Sequence, residues 1–258
     1  LKLTASKTNG IKTDGTDDVH LIVSVLDSEG RELSNSPDVE LRIVAGPGEF
    51  PTGKTISFSK ASDIRILDGK AAIALRSYYA GATVVEAVSE GLASARIELS
   101  FVGDHDYVEG VSRETVSRPY IRYEKGKTAD LQDFGLNNPT FATSSSAGHS
   151  AGFAADGNAA TYWQPSQDDT APTWTLDTER GLFMHSLEID FAEAAPCHYL
   201  LEVSADNSTW QRIHEAEAIA AQRLVLPLPT PLKMRFLRLT VVNGTLKVAE
   251  VKVRGMVL

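Results

Sequence analysis

Apolar and polar residues alternate through most of this chain, and no segment keeps a helical period long enough to stand as an amphipathic helix. Val19, Leu21, Val23 and Val25 share one face of a stretch. So do Val39, Leu41 and Ile43, then Ala71, Ile73 and Leu75, then Ala95, Ile97 and Leu99. After residue 133 the pattern resumes with Leu187, Ile189 and Phe191, with Tyr199, Leu201 and Val203, with Leu237, Leu239 and Val241, and with Val251 and Val253. Side chains of a strand point alternately to its two faces, so each run predicts a half-buried strand. EAEAIAAQ at 215–222 has helix-forming composition but is too short to nucleate alone. Turn residues separate the runs at Ser28–Gly30, Gly46–Gly48 and Asp68–Gly69, the last suited to a tight hairpin.

Strands this short and frequent predict β-sandwiches, and 258 residues suffice for two. The expected order is a first sandwich over 1–103, a connecting segment over 104–133 and a second sandwich or jelly roll over 134–258. Without a Cys-Trp-Cys core, a true antibody domain is excluded. The connecting segment carries Arg113, Arg118, Arg122, Lys125 and Lys127, read as a linker lying against both domains rather than as a functional patch.

A net charge of −9 argues against nucleic acid, whose phosphates require concentrated Lys and Arg. No apolar run approaches the roughly 20 residues of a membrane-spanning helix. Cys197 is the sole cysteine, so no intrachain disulfide exists, and its apolar surroundings predict an inert buried thiol. The chain begins at Leu1 without a signal peptide, as expected of a fragment from something longer.

Catalytic signatures are missing. The histidines at 20, 105, 149, 185, 198 and 214 show neither HExxH nor a close metal-ligand spacing, and no serine has a nucleophile-elbow context. The adjacent acids Asp17 and Asp18, like Asp168 and Asp169, point apart or sit in solvated loops rather than facing across a pocket.

The second half carries an ordered set of segments: TSSS at 143–146, ADGNAATYW ending at Trp163, TWTLD, YLLEVSADNSTWQRI, MRFLRLTVVNG and VAEVKV. Together, over about residues 134–253, these resemble the discoidin fold, also called the coagulation-factor C-type domain, which includes the family 32 carbohydrate-binding modules of bacterial glycosidases. In the first half, GPGEF and the span from SDIRIL through RSYYAG to SEGL resemble the immunoglobulin-like domain of family 2 glycoside hydrolases. The combined likeness implies an all-β fold, an immunoglobulin-like β-sandwich followed by a discoidin-type jelly roll. It also implies a non-catalytic C-terminal accessory region of a periplasmic or secreted β-galactosidase-like enzyme, with glycan as partner and the catalytic barrel upstream in the same chain. The alternative is an adhesin or scaffold fragment whose sandwiches act as spacers.

FAADGNAATYW at 153–163 concentrates oxygen donors in one turn. A D-x-N-x-x-T spacing supplies the hard oxygen ligands that calcium takes, and Gly157 lets the chain bend after Asp156. The resemblance implies a structural calcium ion held by Asp156, Asn158, Thr161 and the Phe153 carbonyl, closed by the Ala249 carbonyl and Glu250. A metal-free turn in which Asp156 bonds nearby amides is the competing reading, and sodium or water would suit the same cage. Trp163 is expected in the core, and Trp210 as the family's buried strand tryptophan. For sugar hydroxyls the loops offer His149, Gln164, Gln167, Asp168 and Asp169, with Tyr162 as the aromatic candidate. No loop tryptophan with a His, Arg and Asn set is evident, so a module kept only for packing is the alternative.

Overall fold

Alternation becomes sheet wherever one set of side chains can leave water, and in this protein it does so in two separate cores. The computed structural model describes residues 1–258 apart from Asp63, Gly110, Val111, Arg113, Glu114, Val116, residues 121–130 and Ala220. Two compact units result, Leu1–Tyr120 and Ile121–Leu258.

The first unit comprises β1 (Lys2–Ala5), β2 (Ile11–Lys12), β3 (Val19–Ser24), β4 (Val39–Ala45), β5 (Thr55–Phe58), β6 (Lys70–Leu75), β7 (Gly81–Val88) and β8 (Ala95–Val102). One sheet runs β1-β3-β6 and the other β2-β8-β7-β4-β5. Leu21, Val23 and Leu75 from the first meet Leu41, Ile56, Val85 and Leu99 from the second in one core, which makes the unit a two-sheet sandwich. Ile73 and Ile97 are only half-buried, so the alternation of β6 and β8 marks their inward face without sealing it.

Asp68 and Gly69 have φ of 48° and 74°, the paired positive angles of a primed hairpin turn. Leu67 and Lys70 exchange backbone hydrogen bonds of 2.9 and 3.0 Å around it. On the same unit Glu86 is clasped between Arg42 and Arg96, its cross-strand neighbours on β4 and β8.

The segment expected to be a linker contributes to both units. Ala80 exchanges backbone hydrogen bonds with His105 and Tyr107, both 2.7–2.8 Å, and Arg118 pairs with the buried Glu49 at 3.1 Å within the first unit. Gln132 and Asp133 form β9, an edge strand of the second unit. Of the basic run, Arg118 is thus consumed by an ion pair, while Arg113, Arg122, Lys125 and Lys127 lie outside the described residues.

The second unit continues with β10 (Thr140–Ala142), a 3-10 turn (Ala151–Ala154), β11 (Thr173–Phe191), β12 (Cys197–Ser204), β13 (Gln211–Ala216), β14 (Arg223–Gly244) and β15 (Val248–Val257). Its order is β13-β12-β14-β11-β15-β9, with β10 also on β11. The long strands β11 and β14 break register between Asp177 and Leu182 and between Met184 and Ser186. Such irregularities bend a sheet, and here the bent strands close a jelly roll around Trp163, Trp174, Leu176, Leu187, Leu239 and Val251. Among the described residues of 215–222 no helix forms: the first two pair as part of β13, and Ile219 bridges Ala195, because a partner strand is available where an isolated helix would lack support. Cys197 is buried, and burial pushes its thiol up to about 11. Trp210 departs from expectation. It is half-buried just before β13, with the Arg238 guanidinium 3.9 Å from its ring and Arg238 paired to Glu202 at 2.8 Å.

Positive φ and crowding coincide at Gly69, where an added Cβ would run into the Leu33 carbonyl oxygen, whereas Gly30, φ 80°, faces open space. Gly30→Ala should therefore cost about 1 kcal/mol of stability, the backbone penalty alone. Gly69→Ala should cost roughly 2 kcal/mol or more, since the turn must also move. Calorimetric unfolding of the two variants checks this, and equal losses would mean the hairpin relaxes freely around Leu33.

Candidate functional site

The turn after the 3-10 segment and the start of β15 come together in the second unit. Asp156 Oδ1 accepts the Asn158 amide at 2.8 Å, and the Thr161 hydroxyl lies 2.9 Å from Asp156 Oδ2. The Asn158 carbonyl accepts both the Thr161 amide at 3.0 Å and the Thr161 hydroxyl at 2.8 Å. This is the geometry of an Asx turn, and Gly157 makes it with φ of 76°. A Cβ at Gly157 would also press on Leu136 Cδ1 at 2.9 Å. Phe153 is half-buried in the 3-10 segment and Ala249 is buried on β15.

Alternation puts Glu250 on the face of β15 opposite Val251 and Val253, yet its side chain is as hidden as theirs, 4% exposed. The Gly157 backbone lies against it and donates a hydrogen bond to its carboxylate. Burial, then the neighbouring Asp156 carboxylate and more weakly Asp133, push the Glu250 carboxyl up to about 7; the Gly157 amide and Lys252 act the other way. Glu250 Oε2 is buried and has no hydrogen-bond partner among the described residues. A buried carboxylate oxygen facing a second carboxylate is costly unless a proton or cation satisfies it. The donors gathered here are all oxygens, a set that fits a hard cation.

The sugar candidates separate into groups. His149 and Tyr162 stack, ring centroids 4.1 Å apart and planes inclined by 19°. Lys247 Nζ stands 5.7 Å from the centre of the Tyr162 ring and pairs with Glu193 at 2.9 Å. Gln164 joins this group through its backbone, donating to the His149 carbonyl and accepting from the Ser146 amide. Gln167 and Asp168 are exposed on the following turn. Asp169 faces inward: burial raises its carboxyl, but hydrogen bonds from Thr143, Ser144 and the Ala171 amide outweigh that and hold it below the usual range. The TSSS segment is therefore a brace that fastens this loop. Lys247 and Glu193 carry no motif in the sequence; only the meeting of their loops places Lys247 by Tyr162 and Glu193 by Lys247.

Jelly roll, paired loops and acid-closed turn occur in the segment order expected of one family, and a family model covers them. Residues 140–251 match the F5/8 type C domain. No curated protein matches the chain. Among solved structures, a chitosan-binding module from a Paenibacillus chitosanase/glucanase is 19% identical with a TM-score of 0.43, spanning 47% of this chain and 98% of that one. The family 32 carbohydrate-binding module of Clostridium perfringens NanJ, solved with galactose, is 16% identical with a TM-score of 0.44, covering 48% and 98%. A fucose-binding module of Streptococcus pneumoniae is 18% identical with a TM-score of 0.44, covering 48% and 97%.

In the second unit the turn and the acid meet across about ninety residues, so the state of Glu250 bears on how the loop is held. Because its folded value lies above its ordinary 4.5, the contribution to stability is complete below pH 4.5 and is lost as pH rises through 7. In chelator, raising pH from 4.5 to 8 should remove on the order of 3 kcal/mol through this group. Glu250→Gln should flatten that dependence in calorimetric melts. An unchanged slope in the variant would assign the pH response to other groups.

Proposed function

We propose that this chain is a non-catalytic accessory region of a carbohydrate-degrading enzyme and that its F5/8 type C domain binds glycan. The observation that carries the reading is the stacked His149–Tyr162 pair in the loops of that domain, with Lys247, Glu193 and Gln164 alongside. An aromatic surface suits the apolar face of a pyranose, and flanking charged and amide groups suit its hydroxyls. Within this proposal the parent is a family 2 β-glycosidase of β-galactosidase type, secreted or periplasmic, with its catalytic barrel in the same polypeptide. That finer assignment rests on the GPGEF and RSYYAG segments, and the two-sheet first unit is compatible with an immunoglobulin-like domain. Tethering a catalyst to its polymer raises the effective substrate concentration without any contribution to the chemistry.

Glycan-array screening followed by titration of the full chain tests the reading. Saturable binding to galactosides is expected, weakened at least tenfold by His149→Ala and by Tyr162→Ala, since each removes half of the aromatic pair. Silence across the array from a folded chain would overturn glycan binding and leave the spacer or adhesin role.

The same proposal assigns a structural calcium ion to Asp156, Asn158, Thr161 and Glu250, with carbonyl oxygens of Phe153 and Ala249. Support comes from the unpartnered buried oxygen of Glu250 beside a second carboxylate. In this role the residues fix the 153–161 loop to β15, and calcium supplies the charge that lets both acids stay ionised. Binding to the folded state alone must stabilise it, by about 2.7 kcal/mol at a hundredfold excess over Kd. Calcium added after chelation should therefore raise the melting midpoint at pH 8, and Glu250→Gln should abolish the rise. An equal rise in the variant would place the ion elsewhere.

A further inference from the structure

We propose that the β12–β13 hairpin carries a second cation site, one for a transition ion of the zinc class, formed by His198, Glu215 and Glu217. On β12 the residues Cys197, Tyr199 and Leu201 point into the core, so His198 projects from the other face with its side chain 23% exposed. Tyr199 pairs with Ala216 and Leu200 with Glu215 across the hairpin. Glu217 therefore falls opposite His198, one step beyond the last registered pair, and Glu215 lies on the diagonal. Glu215 near the end of β13 and Glu217 just past it both approach the one imidazole.

The contacts follow that register. His198 Nε2 is 2.8 Å from Glu215 Oε1, and Nδ1 is 3.7 Å from Glu217 Oε2. One ligand atom from each of the three residues lies within 4.8 Å of the other two. Arg212 Nη1 holds Glu215 Oε2 at 2.7 Å, which directs the remaining oxygen toward the imidazole. A hydrogen-bonded carboxylate of this kind is what orients ligands around protein-bound metals. Glu217 is 83% exposed and free to swing onto an ion held by the other two.

The imidazole decides the class of ion. Calcium and magnesium take oxygen ligands, whereas zinc accepts imidazole nitrogen and carboxylate oxygen at about 2.0–2.2 Å with water completing a tetrahedron. Zinc would neutralise the two acids that Arg212 only partly balances. The three residues are distinct from the all-oxygen set of Asp156 and Glu250.

The test is isothermal titration of the untagged full chain with zinc chloride, in excess calcium so that any oxygen cage is filled. Saturable one-to-one binding is expected, weakened at least about tenfold by His198→Ala and by the double change Glu215→Gln with Glu217→Gln. Circular dichroism checks that each variant folds, and Glu217→Gln alone, at an exposed position, serves if His198→Ala does not; it should weaken binding measurably. Absence of saturable binding, or the same affinity in the folded variants, overturns the proposal.

Discussion

Two buried indoles hold the loops of the second unit to its sheet. Trp163 and Trp174 are both fully buried, and neither leaves its N–H unpaired. Trp163 Nε1 donates to the Ser144 carbonyl at 3.1 Å, and Trp174 Nε1 to the Ala151 carbonyl at 2.9 Å. A buried donor must find an acceptor, so each ring couples the hydrophobic gain of its burial to a fixed position of a loop backbone. The brace at 143–146, the 3-10 segment and the Asx turn all lie on the chain that these two bonds pin. His149 and Tyr162 stack where that chain is folded back along itself.

Charge is arranged differently in the two units. On the first, Glu86 lies between two arginines on neighbouring strands, and Glu49 is buried against Arg118. These acids are matched, and each stabilises the position of a backbone segment. On the second, Asp177 is matched to Arg235 at 2.8 Å in the same manner, but Glu250 faces Asp156. Like charges at close range are an unfavourable use of two carboxylates in a scaffold. Their persistence beside a glycine turn separates this corner from the ion pairs that merely tie strands together.

The strands were legible because alternation is a local property: Val19, Leu21 and Val23 announce their face without reference to a partner. The Asp68–Gly69 hairpin was legible for the same reason, since the turn chemistry lies within two residues. Segment order made Glu250 a candidate partner of the 153–161 turn, but its burial was not readable. Period two places it away from the core, and the loop carrying Gly157 lies against that other face. Lys247 beside Tyr162 and the triad around His198 were invisible for a related reason. Residues 17 to 85 positions apart meet through sheet register and loop closure, and spacing rules that look for close ligands do not see across a hairpin. The misplaced Trp210 shows the limit from the opposite side: a tryptophan at the mouth of a strand reads as core until an arginine from β14 is found covering its ring.

The solitary thiol offers a way of watching this fold open. Cys197 sits where β12 meets Gly244, sealed from solvent and held in its protonated form by burial. Alkylating reagents act on accessible thiolate, so in the native state the group is silent twice over. With no other cysteine in the chain, every modification event requires an opening of the second unit around that strand. The rate of labelling thus reports the population of the opened jelly roll where reclosing outruns the reagent, and the opening rate where the reagent outruns reclosing, read without a reporter being added to it.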